Sequence, residues 1–140
     1  MSAVPSRRAR LFLDANVLVS AAWKDESKVC RLWQIPRVEL VTSNFVLEEC
    51  RRNLPLPEQH QRLTQLLGAV RVFVFRGVPT LENSPPLPEK DKHVFAAAVL
   101  ARATFLVTGD RTHFGVWFGR SILGISVEPP ASFPSVLNKT

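Results

Sequence analysis

The stretch Arg10-Leu11-Phe12-Leu13-Asp14-Ala15-Asn16-Val17-Leu18-Val19-Ser20-Ala21-Ala22-Trp23 decides how the rest of the chain is read. Its apolar run is short and ends at Asp14, and the segment that follows has a helical character, so the whole reads as a buried strand turning into a helix with Asp14 at the strand's C-terminal end. Lys24-Asp25-Glu26-Ser27 breaks that pattern, and Val29, Leu32 and Trp33 resume a helical stripe that Pro36 stops. Val38-Glu39-Leu40-Val41 reads as a second strand. Thr42-Ser43 offers an N-cap to a helix over 44–53, which Leu54-Pro55-Leu56-Pro57 ends.

Further along, Leu63, Leu66 and Leu67 support a helix over 58–67 closed by Gly68, and Val70 to Phe75 is the clearest strand in the chain. A proline-rich loop over 80–88 precedes an alanine-rich helix over 90–102. Thr104-Phe105-Leu106-Val107-Thr108 is a buried strand ending in Gly109-Asp110, and 122–127 reads as a last strand before a proline-rich tail. Strands alternating with helices imply an α/β fold with a mostly parallel sheet and helices on both faces. The 140 residues read as a single domain with a core of about 10–127, a basic N-terminal segment and no internal repeat.

With 46% hydrophobic and 21% charged residues the chain can bury a sizeable core, which excludes a disordered tail or a coiled coil. Arg7, Arg8 and Arg10 precede an apolar run too short for a signal peptide, and no stretch approaches a transmembrane helix. Cys30 and Cys50 fall in helical patterns and are expected as reduced core thiols, so a cytoplasmic location is expected. The net charge is +6, carried mostly by arginine, which suits bidentate phosphate contacts and hints at a nucleic-acid or other acidic partner.

Only four aspartates occur, Asp14, Asp25, Asp91 and Asp110, and three of them stand at strand ends or a helix start. In an open parallel sheet ligands bind beyond the carboxyl ends of the strands, the edge on which Asp14 and Asp110 fall. The plain alternative is that each begins a turn or caps a helix. Asp91 sits in the first turn of its helix, where the dipole favours a carboxylate. It also shares a face with Val94 and Phe95, so it points toward the core edge, where a carboxylate is costly unless something receives it. Of the adjacent Glu48 and Glu49 only one can face inward, and Glu49, three and four residues after Val46 and Phe45, is that one; a solvated Glu paired with a nearby arginine is the alternative. Four carboxylates from separate elements directed at one edge repel unless a counter-charge joins them. A hard divalent cation, Mg²⁺ or Mn²⁺, is the natural one, and with a basic surface it makes phosphodiester hydrolysis the leading expectation.

Phe12 to Ser20, the segment 43–54 with its inward Glu49, Asp91-Lys92-His93-Val94-Phe95-Ala96-Ala97-Ala98 and Leu106-Val107-Thr108-Gly109-Asp110 occur in the order and spacing of the PIN-domain family, which the chain resembles from about 10 to 127. The resemblance implies a Rossmann-like three-layer α/β/α sandwich and a metal-dependent ribonuclease site, as in the VapC-type toxins of toxin–antitoxin pairs. It implies Asp14, Glu49, Asp91 and Asp110 as the catalytic, metal-binding set, and for one or two Mg²⁺ or Mn²⁺ ions our own expectation is one held tightly and a second recruited by substrate. Asn16 would hold the Asp14 carboxylate, and Thr108 would orient Asp110. Family members often carry a further acid a few residues after Asp110, where this chain has Arg111-Thr112-His113-Phe114. His113 replaces that acid as a ligand or proton donor, contacts phosphate, or is a plain surface histidine.

Arg51, Arg52, Arg111 and Arg120 are candidates for a phosphate-binding rim, with a solvated helix face as the alternative for the first two. Trp23, Trp33 and Trp117 suit core or interface packing better than base stacking. His60 and His93 read as exposed. No Cys/His cluster has zinc spacing and no glycine-rich phosphate loop occurs. The leading reading is an endoribonuclease toxin with an RNA substrate, a cognate antitoxin and a homodimeric state. The rival is a PIN-like domain that binds nucleic acid or protein with little hydrolysis, which His113 in place of an acid keeps open. A small-molecule enzyme of the doubly wound class ranks last. If single-stranded RNA is the ligand, log affinity falls with log salt at a slope of roughly −0.7 per phosphate neutralised, measurable by anisotropy titration, and a flat profile excludes a polyphosphate.

Overall fold

The computed structural model describes residues 8–133, so Arg7 and the end of the proline-rich tail lie outside the described residues. Six strands form one sheet in the order β3-β2-β1-β4-β6-β5. They are β1 (Ala9–Leu13), β2 (Val38–Ser43), β3 (Val70–Phe73), β4 (Phe105–Val107), β5 (Arg120–Ile122) and β6 (Ile125–Glu128). All neighbours are parallel except β5 and β6. The central strands read as continuous apolar runs because both faces are covered, as a parallel sheet requires: Leu11, Phe12, Leu13, Val41, Leu106 and Val107 are all fully buried.

The helices are α1 (Ala15–Trp23), α2 (Asn44–Arg52), α3 (Pro57–Leu67), α4 (Glu89–Leu100) and the short α5 (Arg111–Phe114). Right-handed crossovers carry α1, α2 and α3 to one face of the sheet and α4 to the other, and the packing agrees, with α1 against α2 and α3 and α4 against β2 and β4. The result is the expected three-layer α/β/α sandwich around a mostly parallel sheet. The chain moves outward from β1 to β2 and β3, then returns to add β4 on β1's other side. The C-terminal ends of β1 and β4 are therefore the switch point where such sheets open a crevice.

Three elements differ from the sequence reading. The stripe of Val29, Leu32 and Trp33 forms a 3₁₀ segment, Lys28–Gln34, and only Leu32 is fully buried. The strand at 70–75 ends at Phe73, where Phe75 turns away so that its amide and carbonyl bond the side chain of Asn44. The single strand expected over 122–127 is a hairpin, with Ile122 paired to Ile125 around Leu123-Gly124. Both turn residues have positive φ, 51° and 81°, the pairing that a two-residue hairpin demands; Leu is so unusual there that no turn is legible.

Helix α4 carries no single apolar stripe: Val94 through Ala98 are all buried, which only a helix covered on several sides shows. The sheet covers one side and the loop after β3 wraps another, held by a hydrogen bond of 2.9 Å between His93 Nδ1 and the Pro79 carbonyl. His60 likewise bonds the Leu54 carbonyl at 2.7 Å, so neither histidine is freely solvated as expected. Cys30 and Cys50 are free thiols, Cys50 fully buried with its pKa pushed up to about 12 by burial. Trp33 donates to the Leu66 carbonyl, and Trp117 packs on the core. Among the described residues no helix is long and apolar enough to cross a membrane. Ala98 is completely buried in the α4 interface, so Ala98→Leu is expected to lose about 1–3 kcal/mol of stability in urea unfolding, with the m-value unchanged.

Candidate active site

The site begins where β1 runs out. Asp14 has extended backbone geometry and caps α1, its Oδ1 accepting the Ala15 amide at 2.7 Å. Its Oδ2 accepts the Thr108 hydroxyl at 2.8 Å and the Asn16 side-chain amide at 3.2 Å. Thr108 follows β4, and its hydroxyl oxygen in turn accepts the Asp110 amide at 3.1 Å. Asn16 closes the loop, its Oδ1 accepting the Gly109 amide at 2.8 Å. A Cβ at Gly109 would stand 3.3 Å from that oxygen, so the close approach favours glycine there. Three side chains thus stitch the ends of β1 and β4 together. Each carboxylate oxygen offers about two lone pairs; Oδ2 is saturated, and Oδ1 keeps one free toward the cleft.

Asp91 lies in the first turn of α4 with 8% of its side chain exposed. Asp110 caps α5 and is partly open. His113, one turn on, places Nδ1 2.9 Å from an oxygen of each, bridging the two carboxylates. On α2, Glu49 turns into the cleft and pairs with Lys90 Nζ at 2.6 Å, whereas Glu48 faces solvent and pairs with Arg52. A cleft of about 360 Å³ is lined by Asp14, Asn16, Glu49, Lys90, Asp91 and Asp110 among others. The four carboxylates therefore share one cavity with Asn16; Thr108 stands behind it, bonded to Asp14 and to the Asp110 amide, and His113 stands beside it, against Asp91 and Asp110. None of the four candidate rim arginines lines the cleft: Arg51 and Arg52 lie exposed on α2, with Arg52 lining the adjoining cavity, Arg111 opens α5 beside Asp110, and Arg120 sits on the outermost strand.

The electrostatics follow from packing like charges where water is scarce. Burial raises the Asp14 pKa from 3.8 to about 6; its hydrogen bonds to Thr108 and Ala15 pull it down, and the charges of Glu49 and Asp91 push it up. Burial also raises Asp91, against the pull of His113 and with the push of Asp110. Lys90 is raised by its hydrogen bond to Glu49. Lys90 thus supplies part of the counter-charge from within the chain.

Lys90 escaped the sequence reading. The available signal was a lysine in the first turn of α4, where the helix dipole disfavours a cation, so its charge had to be answered from elsewhere. Asp91, Asp110 and His113 can offer three ligand atoms within 4.8 Å of one another. The oxygen donors are hard, as Mg²⁺ or Mn²⁺ prefers, and the imidazole nitrogen is compatible with Mn²⁺, so the residues present fit a divalent cation.

Comparison with known proteins agrees with this architecture. A PIN-domain family model matches residues 10–112. No curated protein matches the chain. Among solved structures, a chain of the VapBC2 complex from Rickettsia felis, bound to a DNA fragment from its promoter, is similar with a TM-score of 0.60 at 16% identity, over 86% of this chain and 98% of that one. With the family match spanning most of its length and every strand of the switch point, this chain belongs to the PIN-domain family.

Proposed function

We propose that the chain is a divalent-metal-dependent endoribonuclease that hydrolyses phosphodiester bonds in RNA, acting as the toxin of a type II toxin–antitoxin pair. The observation that carries the reading is the convergence of Asp14, Glu49, Asp91 and Asp110, from four separate elements, in one cleft at the switch point. PIN domains are typically nucleases, and the likeness to a VapBC structure supports an antitoxin as partner. A homodimer belongs to the same reading, supported by the exposed apolar side chains Trp23 and Leu56, 49% and 47% accessible.

Asp91, Asp110 and Asp14 would hold the cation, with Glu49 completing the acidic wall and His113 as a further ligand or proton donor. A bound divalent ion supplies Lewis-acid chemistry, making water a stronger nucleophile and neutralising charge that develops on the phosphate. The protein's part is to present oxygens in fixed positions. Thr108 and Asn16 lock the Asp14 rotamer, and Thr108 simultaneously holds the Asp110 backbone. One carboxylate of the set accepts the proton of the attacking water. Lys90, and Arg111 beside Asp110, meet the substrate's flanking phosphates.

A second reading, a PIN domain that binds nucleic acid or protein with little hydrolysis, is favoured by one observation: His113 already bridges Asp91 and Asp110. Cleavage of fluorescent single-stranded RNA in Mn²⁺ separates the two. Loss of an outer partner of a metal ligand costs about 10–100-fold, so Thr108→Val is expected to fall by that much and Asp14→Asn or Asp91→Asn by about 100-fold or more, with chelator abolishing activity. Activity that survives in both aspartate variants overturns the metal-carboxylate mechanism.

The raised Asp14 pKa also predicts a stability profile. The folded protein binds this proton more tightly than the unfolded chain, so the contribution is full below about 4 and is lost as pH rises toward about 6 and above. For the metal-free protein the loss is about 3 kcal/mol. In thermal melts, Asp14→Asn is expected to raise the metal-free Tm at pH 7.5 and to flatten the decline between pH 4 and 6. Mn²⁺ is expected to raise the Tm of the parent protein and not that of the variant.

A further inference from the structure

A second cavity adjoins the acidic cleft, with Glu49 and Lys90 lining both. It has about 240 Å³ of space and is walled mainly by Phe45, Val46, Val78, Pro79 and Val94. That is below the roughly 300 Å³ at which pockets for drug-sized ligands begin, and it suits one planar ring rather than the face of a helix. Two of its walls are unusual. Phe45 is half-buried yet stands apart from the hydrophobic core and the side chains packed on it, and Val78 is 51% exposed. An aromatic ring in the first turn of α2 that supports no core is available for contact.

The polar atoms around the cavity are already committed. The Ser43 hydroxyl accepts the Val46 amide, and one nitrogen of His93 bonds the Pro79 carbonyl. The cavity therefore offers faces more than hydrogen bonds. Its rim carries two largely exposed cations, each paired with a glutamate of α2: Lys90 with Glu49 on the side shared with the acids, and Arg52 with Glu48.

Resting on the ribonuclease reading above, we infer that this cavity is a nucleobase subsite. The base of a nucleotide next to the scissile phosphate stacks on Phe45 against Val78 while Lys90 and Arg52 meet the backbone. A base has two apolar faces and a phosphate on a short tether, and it is this pairing of an apolar slot with an adjoining acidic cleft, and with exposed Lys90 and Arg52 able to exchange their glutamate partners for phosphate, that the cavity matches. Stacking on an aromatic side chain is worth about 1–3 kcal/mol and accepts any base, so the subsite sets affinity and cleavage register more than sequence.

The test uses fluorescein-labelled phosphorothioate hexaribonucleotides with Ca²⁺ in place of Mn²⁺, read by anisotropy, with a matched set lacking one base at each position in turn. Phe45→Ala is expected to weaken binding about 5- to 150-fold and Phe45→Trp to restore it. At one position, removing the base is expected to cancel the effect of Phe45→Ala, the coupling that a direct contact produces. Val78→Ser, an exposed change, is expected to weaken binding in the same position-dependent way and serves if Phe45→Ala does not fold. Unchanged affinity in the folded variants, or equal losses on every abasic oligonucleotide, overturns the subsite. Retained RNA affinity with loss of a co-expressed antitoxin assigns the cavity to a protein side chain and also overturns it. Failure of the parent protein to bind or cleave RNA at all defeats the ribonuclease reading and the subsite with it; normal cleavage and an indifferent Phe45 defeat the subsite alone.

Discussion

The Asp14 carboxylate is buried between the ends of two parallel strands, and most of what is distinctive in this molecule follows from keeping it there. Its oxygens take an amide from α1, a hydroxyl from the end of β4 and a side-chain amide from Asn16. Those bonds tie the first strand to the fourth across 94 residues of sequence. They also leave the carboxylate short of solvent and close to Glu49 and Asp91, which is why its proton is held so much more tightly than usual. A fold built for stability alone has little reason to gather like charges at a sheet edge. A site that receives a cation, and through it a phosphate, has every reason.

The surroundings of Asp14 answer its charge in graded fashion. His113 spans Asp91 and Asp110, and Lys90 closes on Glu49, so each half of the acidic cluster has a nitrogen partner of the chain's own. These partners are on flexible or exposed groups at the cleft mouth, whereas the carboxylates are anchored on element ends. The acidic cleft adjoins the apolar cavity beside Phe45, and Glu49 and Lys90 line both.

How much of this could be read beforehand varies by element, for physical reasons. Strands β1 and β4 announce themselves because burial on both faces leaves no room for polar residues, whereas β3, at the sheet edge and only partly buried, shows itself by its β-branched and aromatic residues. Glu49 was distinguishable from Glu48 because two adjacent helical positions cannot face the same way, and the pairing of Glu48 with Arg52 on the outer face is that geometry made visible. Asp91 was readable from its shared face with Val94 and Phe95. The hairpin of β5 and β6 was not readable, since Leu123 adopts a backbone conformation its side chain disfavours. Nor was the 3₁₀ form of Lys28–Gln34, whose apolar spacing at three and four residues is common to both helix types.

The sequence by itself determined the order of strands and helices, the parallel sheet, and which acids end strands or begin helices, because periodicity and capping act over a few neighbouring residues. It also carried the family, through four short motifs in order. Only the tertiary structure decided that Thr108 serves two aspartates at once, that His113, though still exposed, bridges Asp91 and Asp110, that Lys90 enters the cleft, and that Arg120 stands on the far edge of the sheet. Each of these depends on where distant elements cross. A hydrogen bond or ion pair between residues tens of positions apart leaves no periodic trace in the chain, and it exists only once the sheet has brought the ends of β1 and β4 together.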